Sequence, residues 1–339
     1  MKKLRIGIIG TGAIAGHHIK SVQELENCEL VALASSSKER AIEASSKHRV
    51  VAYRSYQQLI DNPTIEAVII CTHSGNHLEP ALAAAKEGKH ILVEKPIEVN
   101  STKAEKMITT CQEAGVQLGV VFQNRFSSGY LKLKQAIDAG KLGKLILGNA
   151  YIKWFRSAEY YQKSHWKGTI AGDGGAALIN QGIHTIDLLL DSMGDVESVF
   201  GKIKTVKHQI EGEDLGVAML TFKNGALGTI EGSTAIHPGY PERLEIYGEK
   251  GSIILEAGNI VSWEIEGEES IALNGHANNS GNSNPMDIGH QLHKAQIHNF
   301  VEAILNNERP LVDGPSGTKS LTIIESIYLS AKEQKEIFL

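Results

Sequence analysis

The sequence predicts an α/β protein: a doubly wound parallel sheet of the Rossmann type first, then an α/β domain on an open, mostly antiparallel sheet. Three observations predict it. The first 120 residues alternate short apolar runs with helical runs, the pattern of a parallel sheet covered on both faces. A Gly-x-Gly-x-x-Ala segment directly follows the first of those runs. Beyond residue 125 helical runs give way to successive strands punctuated by hairpin signals. A length of 339 residues fits two domains, placed at 1–122 and 123–339, with the C-terminal helices packing back on the first.

The strands of the first part are Leu4–Ile9, Leu30–Ala34, Val50–Tyr53, Ala67–Cys71, His90–Val93 and Gln117–Phe122. Helical stretches near 13–25, 38–47, 55–61, 77–87 and 101–114 separate them, the last with Asn100 and Ser101 as cap candidates and Gly115 as a stop. A helix over Tyr130–Ala139, a strand over Leu145–Phe155 and a single helix over Gly175–Met193 come next. Asn224-Gly225 marks one hairpin and Tyr247–Gly251 another, between Leu244–Ile246 and Ile253–Leu255. Residues 276–289, rich in Asn, Ser and Gly, read as a loop. Helices near 290–306 and 315–335 close the chain.

Composition narrows the function. A net charge of −5 lacks the basic footprint of a nucleic-acid binder. No apolar run reaches the roughly 18 residues of a membrane span, and Gly10-Thr11-Gly12 interrupts the first apolar run too early for a secretory signal. Cys28, Cys71 and Cys111 are odd in number and widely spaced, so buried thiols in a cytoplasmic protein are expected, with no metal centre.

Gly10-Thr11-Gly12-Ala13-Ile14-Ala15 points to a dinucleotide. Gly10 allows the tight turn, Gly12 lets a pyrophosphate approach the backbone, and the helix N-terminus supplies free amides and a positive dipole end. An NAD site would place Asp or Glu about 20 residues on, at the end of the second strand, to hold the ribose 2′-hydroxyl. This chain has Ser35, Ser36 and Ser37 there, then Lys38 and Arg40. Hydroxyls and cations suit a 2′-phosphate, so the expectation is NADP or NAD, with NADP favoured.

The run Ile91-Leu92-Val93-Glu94-Lys95-Pro96, a strand-end Glu-Lys-Pro after such a fold, resembles the glucose–fructose oxidoreductase / inositol dehydrogenase (Gfo/Idh/MocA) family. The loop Cys71-Thr72-His73-Ser74-Gly75-Asn76-His77 is similar to the family's Thr-Pro-x-x-x-His loop, with His73 in place of the usual Pro. Gln123-Asn124-Arg125-Phe126 resembles its domain-joining segment. Gly174-Gly175 with Asn180-Gln181-Gly182-Ile183-His184-Thr185-Ile186-Asp187 resembles the helix that carries its catalytic histidine. Phe300–Ile304 and Pro310–Gly314 match its C-terminal region.

The resemblance implies NAD(P)-dependent transfer of hydride between nicotinamide and a secondary alcohol or ketone of a sugar, cyclitol or sugar derivative. A dihydrodiol or cyclic-ketone reductase and a non-catalytic cofactor sensor are the alternatives. Retention of both Lys95 and His184 speaks against the sensor. The resemblance implies Lys95, His184 and Asn180 as catalytic residues. It adds Thr72, His73, Asn76, His77, Glu94, Lys95, Gln123 and Arg125 to the cofactor contacts, and Arg125, Arg156 and Trp166 to the substrate contacts. It also implies a homodimer or homotetramer built through the second sheet. Asn180, His184 and Asp187 at i, i+4 and i+7 predict one polar stripe on an apolar helix. Asn180 stands where the family often has an Asp that pairs with the histidine. A neutral amide cannot carry that charge, so Asp187 is the candidate to help His184.

Overall fold

The computed structural model describes residues 2–270 and 289–339; the expected loop at 276–289 lies, but for Gly289, outside the described residues. The chain divides into two compact units, Met1–Gln123 with Gly289–Thr318, and Asn124–Ile288 with Lys319–Leu339.

The first unit holds six parallel strands: β1 (Leu4–Ile9), β2 (Cys28–Ala34), β3 (Val51–Tyr53), β4 (Ala67–Ile70), β5 (His90–Val93) and β6 (Leu118–Val120). Their order is β3-β2-β1-β4-β5-β6, so the winding reverses between β1 and β4. In an open α/β sheet that reversal opens a crevice at the strands' carboxyl ends, where ligands bind. β4 is buried along its whole length because helices cover both faces. The unit is completed from the far end of the chain. The helix Gln291–Leu305 contributes Ile297, Phe300 and Val301 to the core formed by Ile6, Ile8, Leu92 and Val121, and its Gln296 amide donates to Val120 O at 2.7 Å.

The second unit is an eight-stranded sheet of β7 (Leu145–Lys153), β8 (Val196–Lys204), β9 (Leu215–Phe222), β10 (Leu227–Ser233), β11 (Arg243–Gly248), β12 (Gly251–Glu256), β13 (Asn259–Ile265) and β14 (Ile337–Phe338). Its order is β13-β12-β11-β7-β10-β9-β8-β14. β7 and β10 pair in parallel and the remaining neighbours antiparallel. Asn224-Gly225 forms the β9–β10 hairpin; Gly225 has φ 86°, and the Asn224 side chain accepts from Ala226 N and donates to Met193 O. Side chains alternate along β9: Ala218, Leu220 and Phe222 are buried, while Val217 and Met219 are exposed.

The expected single helix over 175–193 differs in the structure. A π-helical turn, Ala177–Gly182, precedes the α-helix Ile183–Met193. The cause is Glu213, almost fully buried. Its carboxylate accepts from Ala176 N at 3.1 Å and Leu178 N at 2.7 Å, and its carbonyl accepts from Ala177 N. These groups hold the start of the segment in a wide turn, a form concentrated at functional sites. Leu178 seats that turn on the sheet, where a Cβ on Gly216 or Gly232 would come within 2.7 or 2.5 Å of its side chain.

Candidate active site

In the first unit the cofactor candidates gather at the carboxyl ends of β1, β2, β4 and β5. Gly10 has φ 100°, and a Cβ there would meet the Cys71 carbonyl at 2.7 Å. A Cβ on Gly12 would meet nothing within 4 Å. No side chain caps the helix Ala15–Glu24, so its leading amides lie beside that open space. The turn is therefore shaped for a pyrophosphate. Thr11 Oγ1 donates to Ser35 Oγ at 2.8 Å, which joins the ends of β1 and β2.

The serine run after β2 is only partly available. Ser37 caps the helix Lys38–His48 by accepting from Arg40 N, and its hydroxyl donates to Glu39 Oε2 at 2.8 Å. A carboxylate therefore stands among the residues read from sequence as a phosphate pocket. Ser36, Lys38 and Arg40 are exposed.

His77, an expected cofactor contact, is held through both ring nitrogens. The ring is buried, with Nδ1 3.0 Å from Pro96 O and Nε2 3.1 Å from Thr72 O. It fastens the 72–77 loop to the Lys95-Pro96 peptide, which is cis. Thr72 closes the same loop by donating to Asn76 O. Of the remaining loop positions, His73 is half-buried and Asn76 exposed. Glu94 is buried; Oε2 accepts from Lys95 N at 3.1 Å, and Oε1 lies 2.6 Å from His18 Nε2. Lys95 is half-buried and Gln123 buried.

In the second unit Arg125 is fixed by two carboxylates. It is buried, with Nε and Nη2 each donating to Asp187 at 2.7 Å and Nη1 to Asp191 at 2.9 Å. A guanidinium held in such a fork joins the start of the unit to the helix Ile183–Met193. It also engages Asp187, the carboxylate expected to help His184.

The charge near Asn180 comes from another residue. Asn180 Nδ2 donates to Asp173, a buried carboxylate that also accepts from Gly168 N at 2.9 Å. Gln181 donates to Asn180 Oδ1 and to the Tyr160 hydroxyl, and accepts from Arg156 Nε at 2.9 Å. Arg156 is 2 % exposed and lies between the Trp154 and Tyr160 rings, 5.0 and 5.5 Å from their centroids. Lys167 sits 3.7 Å over the Tyr160 ring, and burial draws its ammonium below the ordinary lysine range. Trp166 is half-buried and its carbonyl accepts from Thr169 Oγ1. A cavity of about 710 Å³ opens beside these groups, lined by Tyr161, Lys167, Lys207, His208 and Glu211 among others. His208, between Asp214 Oδ2 at 3.0 Å and Arg156 O at 2.9 Å, fixes the Arg156 main chain. Sequence reading did not select Asp173, Glu213 or His208; the Gly-rich 172–175 run was the nearest signal.

Two family models match: an oxidoreductase NAD-binding Rossmann fold over residues 4–122, and a GFO/IDH/MocA C-terminal domain over residues 130–254. The chain belongs to the Gfo/Idh/MocA oxidoreductase family. It is an NAD(P)-dependent oxidoreductase of the kind that acts on CH–OH groups. It is 27% identical to the myo-inositol 2-dehydrogenase of Thermotoga maritima, over 99% of this chain and 98% of the relative. It is 26% identical to the NAD(+)-dependent scyllo-inositol 2-dehydrogenase of Bacillus subtilis, over 95% of this chain and 92% of the relative. The WlbA dehydrogenase of Bordetella pertussis, solved with NADH and UDP-GlcNAcA, superposes with a TM-score of 0.89 at 31% identity, over 100% of this chain and 99% of that one. No helix among the described residues is long and apolar enough to cross a membrane.

Two predictions follow from this geometry. Gly12→Val fills space the protein leaves open, so the melting temperature stays within about 2 °C of the parent while NADH affinity falls at least about tenfold. Fluorescence titration beside a thermal melt checks it; tight NADH binding by the variant would refute the assignment. Asn180→Asp places a second carboxylate against Asp173, and two adjacent carboxylates resist joint ionisation. Stability at pH 8 falls by roughly 1–3 kcal/mol, most of it recovered by pH 5 as one group takes a proton. Urea unfolding at the two pH values measures this, and equal losses at both would exclude the pairing.

Proposed function

We propose that the chain oxidises a secondary alcohol of a sugar, cyclitol or sugar derivative, with NAD(H) as its hydride carrier. The observation that carries the reading is the buried network of Asp173, Asn180, Gln181 and Arg156, which supplies fixed donors and acceptors next to the His184 helix. Such an arrangement suits a polyhydroxylated ligand, whose every buried hydroxyl needs a partner.

A nicotinamide cofactor held at the Gly10–Gly12 turn would supply the hydride acceptor. Neutral His184 takes the hydroxyl proton of the carbinol as it becomes a ketone. The Lys95 ammonium stabilises the oxygen as negative charge develops there. Asn180, held by Asp173, orients the substrate or the imidazole. Within the sugar derivatives we favour one bearing an anionic group, because Lys167 and Lys207 bring positive charge to the cavity lining. The UDP-GlcNAcA in the WlbA complex makes such sugar nucleotides the first substrates to assay, ahead of inositols. A homo-oligomer formed through the outer face of the second sheet belongs to the same reading; Val217, Met219 and Leu227 are exposed there.

NAD(H) replaces the NADP(H) favoured from sequence. Glu39 beside Ser37 repels a 2′-phosphate and offers the 2′-hydroxyl an acceptor. NADH should bind at least about tenfold more tightly than NADPH, and Glu39→Ala should narrow the gap. Titrations of both cofactors against both proteins test this; tighter NADPH binding by the parent overturns it.

A panel of sugar nucleotides, sugars and inositols, followed by NADH formation, tests the reaction. Lys95→Ala should lose roughly 10²–10⁴-fold in kcat and keep NADH binding. With the parent, kcat/KM for oxidation should rise with pH through a histidine-like transition, because the base must be neutral. His184→Ala should remove that transition with most of the rate. An unchanged profile in His184→Ala would rule out His184 as the base.

A further inference from the structure

Beneath the end of β5 lies a cluster that no step above uses. His18, on the helix Ala15–Glu24, is fully buried, and its Nε2 is 2.6 Å from Glu94 Oε1. The other oxygen of Glu94 accepts from Lys95 N. The His293 ring, 3 % exposed, stands edge-on to His18 with centroids 5.2 Å apart. His293 Nδ1 is buried with no hydrogen-bond partner. We propose that His18 is a positioning residue: a buried imidazolium that fixes the Glu94 carboxylate and, through it, the Lys95 main chain at the cofactor end of β5. The proposal rests on the reading that Lys95 works at that end.

Chemistry separates this role from two others. His18, Glu94 and His293 bring their donor atoms within 4.8 Å of one another, which invites a metal. Two donors about 2.0–2.1 Å from a tetrahedral zinc lie roughly 3.3 Å apart; the 2.6 Å between His18 and Glu94 is instead a charge-assisted hydrogen bond. A simple fastener between helix and strand would need no charge.

Cys71, just after β4, and Glu94, just after β5, favour the charged ring of His18. His17 and Lys20 of the same helix, Lys95, and His290 and His293 of the C-terminal segment surround the pair as neutral or cationic groups that oppose the ring's charge. Burial opposes a charge on His18, but the Cys71 sulfur and the Glu94 carboxylate together lift the ring to about 10; burial also raises Cys71, so at neutral pH it is a thiol and the attraction on the ring comes from Glu94. Burial alone would raise Glu94; His18 reverses that and holds it at about 2. Burial, then the neighbouring His18 charge, pulls His293 down to about 3 and keeps it neutral. Each depressed or raised group gives its own pH limit. The His18 contribution is complete below the ordinary histidine pKa and is lost as pH rises through about 10. The Glu94 contribution is complete above the ordinary carboxylate range and is lost as pH falls through about 2. Both contributions are therefore complete only from about pH 5 to 6.5, and the His18 part declines above that.

The test needs no substrate. Full-length protein carrying ¹⁵N-histidine is followed by NMR, with the His18 signal assigned through its own backbone and checked by its loss in His18→Gln. Both ring nitrogens should be protonated from pH 6 to 8.5, and Glu94→Gln should turn the ring neutral at pH 7. NADH titration of His18→Gln should show affinity weaker by about tenfold at pH 7.5. That affinity should also become pH-dependent between 5 and 8, because burial raises Glu94 once its partner is gone. A neutral His18 in the parent at pH 7 overturns the proposal even if the variants fail to fold. A lower melting temperature with unchanged NADH affinity overturns it in favour of a fastener. Stoichiometric Zn²⁺ uptake that displaces the imidazolium signal overturns it in favour of a metal site. Lys95→Ala assayed in parallel keeps the two readings apart: normal turnover by that variant would sink the catalytic role of Lys95 and leave the His18 measurements standing.

Discussion

The Glu213 carboxylate holds two backbone amides and the Tyr328 hydroxyl at once, and the segment carrying Asn180, Gln181 and His184 takes its shape from that grip. Burial raises this carboxyl, and the donors around it draw it back toward the charged form. The amides at the start of a helix have no internal partner, so a wide first turn persists only where something else satisfies them. Once the turn is set, Leu178 drops onto the glycine-lined sheet and Asn180 comes to lie against Asp173. The Arg156–Gln181 contact depends on the same placement.

Much of this was legible in the chain. The fingerprint after β1 could be read because a tight turn, a close backbone approach and a helix start each require a particular residue within six positions. The Asn-Gly signal was enough to place the hairpin between β9 and β10. What stayed hidden depends on partners far along the chain. Asp173 reaches Asn180 only because a π turn intervenes, and no local pattern announces such a turn. Glu213 lies more than 30 residues from the amides it satisfies. The partners of Arg125 are equally remote: its two carboxylates sit 62 and 66 residues away.

The proposed preference for NAD(H) turns on position as well as on the count of charges. Counting charges after β2 gives Lys38 and Arg40 against Glu39. Position then decides, since Ser37 turns toward the helix start and engages Glu39 as well as Arg40 N. An exposed pair of cations contributes little to selectivity when neither is held in place, whereas a carboxylate tethered by a hydroxyl has a definite location.

The first unit is assembled from both ends of the chain, and this bears on how the protein emerges from the ribosome. The helix Gln291–Leu305 places Phe300 close to Gly119 and adds His293 beside His18. Until that helix is made, the apolar surface of Leu92 and Val121 lacks its cover. The 165 residues between Gln123 and Gly289 must be synthesised first, a wait on the order of ten to thirty seconds at ~5–20 residues per second. The nucleotide-binding half, although encoded first, is thus the half whose folding must wait, and the nascent chain carries an incomplete core through most of its synthesis.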